Sequence, residues 1–292
     1  MSKKHPLIVV TGSSGAGTST VKQAFQHIFI REGLKAVVIE GDSYHKYNRV
    51  EMRKQIKKAD KAARTFSHFG PEANLFEELE MCFRNYSETG MCRQRYYVHN
   101  AEEQERHGVE PGNFTEWQEI APGTDLLFYE GLHGCIKTDT VDLSGYADLK
   151  VGVTPSVNLE WIQKIHRDSA ERGHEVEAVT DTILRRMYDY VNFITPQFAR
   201  TDINFQRVPV VDTSHPFMAR DIPSPDESLV VIRVARPQNW DLDFSYYLER
   251  LHGSWMSRQN VIVVPGGKMG MAMEMIMLDM LSTLGIIQHT RR

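Results

Sequence analysis

Between Thr11 and Thr20 the chain reads TGSSGAGTST, directly after the apolar run Leu7–Val10. Gly12 and Gly17 are spaced as in the G-x-x-x-x-G-K-[ST] loop, whose backbone N–H groups cradle phosphate. Ser13, Ser14, Gly15 and Ala16 fill the interior. Ser19 and Thr20 follow where a hydroxyl would meet Mg²⁺, but Thr18 stands where the pattern has lysine. Glycines permit the required dihedrals, and a helix starting near Thr18 would aim its dipole at the same point. A plain strand-to-helix turn also favours Gly and Ser, yet the spacing after a strand favours phosphate.

Four further groups of residues bear on the same chemistry. Asp42 closes the second apolar run, where a carboxylate either takes a proton from an attacking hydroxyl or caps the next helix. His45, Arg49 and Arg53 recur every four residues in HKYNRVEMRKQIKK. On a helix they would form a cationic column suited to a substrate phosphate, although Lys54, Lys57, Lys58 and Lys61 suit an ordinary solvated basic face. Glu130 ends DLLFYEG, a position from which an acid can hold Mg²⁺. In WIQKIHRDSAERGH, residues 161–174, Lys164, Arg167, Asp168 and Arg172 share one helix face, with Arg185 and Arg186 in the next segment. A basic helix pair closing over a triphosphate would supply the charge that Thr18 lacks; a surface helix with i, i+4 pairs is the plainer alternative.

The elements that must position these groups read as alternating strands and helices. Leu7–Val10, Lys35–Ile39, Leu126–Tyr129, Leu149–Val153, Leu229–Val234 and Val261–Val264 are apolar runs of strand length. Helical spacing covers Ser19–Arg31, with Val21, Phe25, Ile28 and Phe29 on one side, and then 158–172 and 175–194. Residues 99–125 and 200–228 read as long irregular connections. The alternation predicts an α/β fold with a mostly parallel sheet. PGGK at 265–268 lacks the six-residue frame and reads as a turn. The methionines at 269, 271, 273, 275 and 277 surround a helix, which implies burial or a subunit contact.

The 292 residues carry a formal charge of −4 and are 41% hydrophobic, so no global field favours nucleic acid or an anionic membrane. Cys82, Cys92 and Cys135 show no C-x-x-C spacing, which argues against a disulfide framework or a zinc site. No window approaches a membrane span, and the basic start precedes too short an apolar run for a signal peptide. A soluble, cytoplasmic protein is expected.

The stretches VTGSSGAGTST, IEGDSYHKYNR, TFSHFGPEAN, PGNFTEWQ, LLFYEGLHG, VNLEWIQKIHRD and ITPQFARTDINFQRVPVVDTS together resemble the bacterial branch of the phosphoribulokinases over essentially the whole chain. The resemblance implies a P-loop kinase fold like that of the nucleoside monophosphate kinases. In it a mixed, mostly parallel sheet is flanked by helices, as a single domain over 1–292 with a helical lid near 160–190. It implies ATP and Mg²⁺, and phosphorylation of the C1 hydroxyl of ribulose 5-phosphate with Asp42 as base. His45, Arg49 and Arg53 would lie at the sugar phosphate, and Glu130 with Ser19 or Thr20 at the metal. Lys164, Arg167, Asp168, Arg172 and Arg186 would surround the active site and lid, Lys164 replacing the loop lysine. Position 53 is commonly lysine in that family and is Arg53 here.

The bacterial branch is often an octamer activated by NADH, and Arg31, Arg233 and Arg258 stand where its effector arginines do. Its plant counterpart carries a redox-active cysteine where this chain has Ala16, so no thiol switch is expected. A uridine-type nucleoside kinase, a kinase of another sugar phosphate and a silent nucleotide-binding regulator are the alternatives.

Overall fold

The computed structural model describes residues 4–13, 18–154, 156–170, 173 and 175–288, with the side chains of residues 18–20 undescribed. In chain order the elements begin with β1 (Leu7–Gly12), α1 (Thr18–Arg31), β2 (Ala36–Glu40), α2 (Arg49–Lys61), α3 (Phe76–Thr89), β3 (Cys92–Gln94) and α4 (Ala101–His107). Next come β4 (Gln118–Ile120), β5 (Leu126–Gly131), β6 (Leu149–Thr154), α5 (Val157–Ala170), α6 (Val176–Arg185) and the single turn α7 (Met187–Asp189). The chain closes with β7 (Ile203–Pro209), β8 (Ser228–Val234), α8 (Phe244–Arg250), β9 (Trp255–Arg258), β10 (Val261–Pro265) and α9 (Met269–Thr283).

One eight-stranded sheet runs β2-β5-β1-β6-β7-β8-β10-β9. From β2 to β7 the neighbours are parallel, and from β7 to β9 they are antiparallel. β1 lies inside the parallel half, which explains why all of LIVVTG is buried: a strand covered on both faces needs no polar alternation. Helices α1 and α9 cover one face, with Phe25, Ile28, Met273, Met277 and Met280 in its core. The methionine-rich segment is therefore largely interior, although Met271 stays exposed. Helix α3 packs Leu79, Phe83 and Tyr86 with Leu7, Val9 and Tyr129 in a second cluster. PGGK is a tight turn into α9, as its spacing implied.

Three expectations change. The connection 99–125 contains α4 and β4, and 200–228 contains β7, so neither is irregular throughout. The helix expected over 175–194 breaks into α6, α7 and a π-turn at Tyr190–Ile194, where the Tyr190 hydroxyl donates to the buried Glu160. The column His45–Arg49–Arg53 is not one helix face. Asn48 accepts from the Glu51 N–H, the Glu51 side chain returns to the Asn48 N–H, and this capping box starts α2 at Arg49. His45 precedes the helix in extended backbone and turns elsewhere.

Candidate active site

The carboxyl ends of β1, β2 and β5 meet at a cleft of about 320 Å³, lined by Gly12, Glu40, Gly41, Asp42, His99, Glu103, Glu130 and their neighbours. The sheet register sets Glu40 beside Glu130, and Glu130 beside Val10, two residues before the glycine loop. Two glycines let these strand ends touch. A Cβ on Gly131 would stand 2.7 Å from the Gly41 Cα, and one on Gly41 would stand 2.6 Å from the Tyr129 hydroxyl. Side chains there would separate Asp42 from Glu130. Ligands in open parallel sheets sit outside these strand ends.

Asp42 does not cap a helix: the following turn spans Gly41–Tyr44, and Asn48 caps α2. Its carboxylate Oδ1 lies 3.1 Å from His45 Nε2 and its Oδ2 lies 3.5 Å from His99 Nε2, while 43% of the side chain is accessible from the cleft. Burial alone would push this carboxyl up, but the His45, His99 and His68 imidazoles more than offset that and hold it well below the usual carboxylate range. It therefore stands ionised, with one oxygen toward the cleft.

Behind it, His45 is buried and turned to Asp42 and Asn74, away from Arg49 and Arg53. Its ring stacks on His68 with centroids 4.2 Å apart. Burial, with the His45 and Arg186 charges adding to it, holds His68 well below the ordinary histidine range. His133, fully enclosed, is pushed down to about 3 by burial and donates from Nε2 to the Phe69 carbonyl. Arg49 leads α2, donates to the His99 carbonyl at 3.0 Å and packs on Gly112, whose φ of 93° leaves no room for a Cβ. Arg53 lies one turn on, exposed on the same helix.

A second group forms on α5. Asp168 is buried and receives Lys164 Nζ at 2.6 Å and Arg167 Nε at 3.2 Å. This is no surface pair: only 13% of the Lys164 side chain is exposed, and burial holds its amine below the usual lysine range. Lys164 and Arg186 line one small cavity with Phe69, Glu160 and Tyr190. Burial brings Arg186 down to about 10, still cationic at neutral pH, and its guanidinium lies over the Phe69 ring at 5.5 Å. The segment 67–70 thus links the groups: His68 faces His45 and Asp42, and Phe69 faces Arg186.

Several positions fall outside this picture. Ser14, Gly15, Ala16, Gly17 and Arg172 lie outside the described residues, as do the side chains of Thr18, Ser19 and Thr20. Gly12 and Ser13 are placed, Ser13 fully buried at the mouth of the loop. Arg233 and Arg258 line a separate cleft of about 520 Å³ on the antiparallel half of the sheet. Arg31 is not among its lining residues; it pairs with Glu32 and Glu274 at the end of α1. No group of three His, Cys, Asp or Glu side chains among the described residues forms a metal cage. A strand-end acid such as Glu130 fits Mg²⁺, which keeps waters and binds through one or two carboxylates plus substrate phosphates.

His99, His68 and Asn74 were not among the residues singled out from the sequence. The stretch TFSHFGPEAN carried the signal for two of them, since it sets a histidine and an asparagine around a Gly-Pro turn. The N-cap Asn100 beside His99 marked the end of an ordered approach to α4.

The Phosphoribulokinase / Uridine kinase family profile matches residues 7–214. The chain is 57% identical to Phosphoribulokinase of Nitrobacter vulgaris across all of both sequences. It is 59% identical to Phosphoribulokinase 1 of Cereibacter sphaeroides, covering 96% of this chain and 97% of that one. Among solved structures, phosphoribulokinase from Rhodobacter spheroides superposes with a TM-score of 0.88 at 55% identity, covering 98% of this chain and 99% of the other. No helix among the described residues is long and apolar enough to cross a membrane.

Proposed function

The chain belongs to the phosphoribulokinase / uridine kinase family, and from that premise we propose that it transfers the γ-phosphoryl group of ATP to the C1 hydroxyl of ribulose 5-phosphate, giving ribulose 1,5-bisphosphate for carbon fixation. The observation that carries this reading is an ionised, partly accessible Asp42 facing a cleft at the strand carboxyl ends, beside the glycine loop. Near full-length identity to relatives named phosphoribulokinase supports the choice of acceptor.

Residues 1–292 act as one domain, with about 160–190 as a lid. Residues 12–20 cradle the nucleotide phosphates, and Glu130 with Ser19 would hold Mg²⁺, which when bound neutralises charge on the phosphates. Asp42 orients the hydroxyl and takes its proton on Oδ2 as the O–P bond forms. Arg49, with Arg53 and Arg172, holds the sugar phosphate, while His45 supports Asp42 from behind. Lys164, Arg167 and Arg186, aligned by Asp168, stabilise the transferring phosphoryl group. Arg31, Arg233 and Arg258 serve an NADH effector site, in an octamer. Three buried free cysteines suit a reducing cytoplasm.

The test is ADP release with Mg-ATP and ribulose 5-phosphate, ribose 5-phosphate or uridine, each with and without NADH. Turnover confined to ribulose 5-phosphate and raised by NADH is expected. Turnover of uridine moves the chain to the nucleoside kinases, and ATP binding without turnover of any acceptor makes it a regulator.

A further inference from the structure

Asn74 is 7% exposed and stands behind His45, with no route to a substrate. The main chains of the two residues pair as an isolated antiparallel bridge, flanked by Lys46 N–H to the Ala73 carbonyl and Leu75 N–H to the Tyr44 carbonyl, each at 2.8 Å. Asn74 Nδ2 donates to the His68 carbonyl at 2.9 Å and to the Gly70 carbonyl at 2.7 Å. Both amide protons are thereby used, which orients the amide so that Oδ1 faces His45 Nδ1 at 2.8 Å. An amide oxygen only accepts, so His45 Nδ1 must carry a proton.

His45 Nε2 then faces Asp42 Oδ1 at 3.1 Å. Were this nitrogen bare, two sets of lone pairs would oppose each other in a buried site. With a proton on each nitrogen the ring becomes a donor at both ends, joining Asn74 to Asp42. The other groups around the ring do not compete for that charge. His68, stacked on it, and the enclosed His133 are both kept neutral by burial. Arg95 touches only the main chain there, donating to the Ser43 and His45 carbonyls.

We propose that Asn74 is a positioning residue that fixes His45 as a two-proton donor, so that Asp42 Oδ1 is occupied and Oδ2 alone is offered to the attacking hydroxyl. The proposal deepens the reading of Asp42 as the base and rests on it. Without Asn74, His45 satisfies Asp42 through an Nε2–H tautomer with a bare Nδ1. The bond to Oδ1 then comes from a neutral imidazole, roughly half as strong as one from a charged ring, and the carboxylate is held less firmly for the hydroxyl.

The experiment is ¹⁵N NMR of histidine-labelled protein near neutral pH, with His45 assigned through His45→Gln. Two protonated ring nitrogens are expected at His45, and Asn74→Leu should turn Nδ1 into an unprotonated, pyridine-like nitrogen. Asn74→Leu should lower kcat on the order of 10- to 100-fold, the scale of losing an outer partner of a metal-bound histidine, with KM for ribulose 5-phosphate nearly unchanged. A pyridine-like Nδ1 in the unaltered protein overturns the proposal. So does an Asn74→Leu variant in which His45 Nδ1 stays protonated, since the amide would then serve only to hold the 68–70 turn. The spectra need no turnover, so a failed acceptor assay would overturn the functional reading while leaving the His45 protons to be read independently.

Discussion

Replacing Asp42 by asparagine removes one negative charge and the proton-accepting oxygen while keeping the side-chain shape. General-base catalysis by a positioned group contributes about 10²- to 10⁴-fold. Here the whole carboxylate also aims the hydroxyl, which places the expected loss in kcat near the top of that range, about 10³- to 10⁴-fold. At 1.36 kcal/mol per decade that is about 4 to 5.5 kcal/mol of transition-state stabilisation. The fold should tolerate the change, because 43% of the side chain is solvent-accessible and the asparagine oxygen still accepts from His45. Stability should fall by about 1–3 kcal/mol, because the carboxylate that His45, His99 and His68 hold ionised is lost, while the protein stays folded. ATP affinity should stay within a few-fold, since the partners of Asp42 among the described residues are His45 and His99. Coupled ADP release would give kcat and KM, nucleotide fluorescence titration the ATP affinity, and denaturant melts the stability. A kcat within about tenfold of the parent, with the protein folded and ATP affinity intact, would remove Asp42 as the base.

The remaining predictions follow from contacts elsewhere. Asp168→Asn leaves the half-buried Lys164 and Arg167 without their shared anion; breaking such a pair costs about 3–5 kcal/mol, and urea melts should show that loss together with a fall in kcat. Gly112→Ala forces a Cβ into φ 93° and to 2.9 Å from Arg49 Cβ; it should cost about 1–3 kcal/mol and raise KM for the sugar phosphate more than KM for ATP. His133 is depressed to about 3 in the folded protein against an ordinary 6.5, so the unfolded chain binds the extra proton. Its contribution is complete above pH 6.5 and falls away toward pH 3, with a slope of up to about 1.36 kcal/mol per pH unit. His133→Gln should flatten the acid limb of stability in pH-dependent melts. A loop lysine in Thr18→Lys would place a second cation at the phosphates, and ATP hydrolysis without acceptor should rise.

The first four strands of the parallel half were legible because their buried positions read as largely apolar runs, from Leu7–Val10 to Leu149–Val153, whereas β7 lay in a stretch that read as irregular. The placement of Asp42 and Glu130 was legible for a related reason: an acid following an apolar strand marks the sheet's carboxyl edge. What was missed is short or remote. β3 and β4 are three residues each and carry no periodicity. The His45–Asn74 and Asp42–His99 contacts join segments whose proximity depends on the turn at 67–73 and on α4. The cationic column failed for a local reason that the chain did display. Asn48 and Glu51 form the N-x-x-E pattern of a helix start, and that pattern outweighs a four-residue spacing that extends beyond it.

The missing loop lysine is the remaining departure from the expected pattern, and the structure bears on what its absence means. A lysine on the loop would meet the phosphates whenever nucleotide is bound. Lys164 is instead carried on α5, with its ammonium aligned by Asp168 one turn away and its cavity shared with Arg186. Burial weakens the hold of both groups on their protons, yet Arg186 at about 10 remains charged at neutral pH. Charge supplied from a helix pair acts only when those helices stand over the loop. On the reading proposed here, the step that stabilises the transferring phosphoryl group is tied to the same closure that excludes water from it. Segment 67–70 touches both sides, through His68 on His45 and Phe69 under Arg186. On that reading, acceptor activation at Asp42 and charge delivery from Lys164 and Arg186 are packed against one short turn, which gives a physical reason to leave Thr18 where the usual loop has lysine.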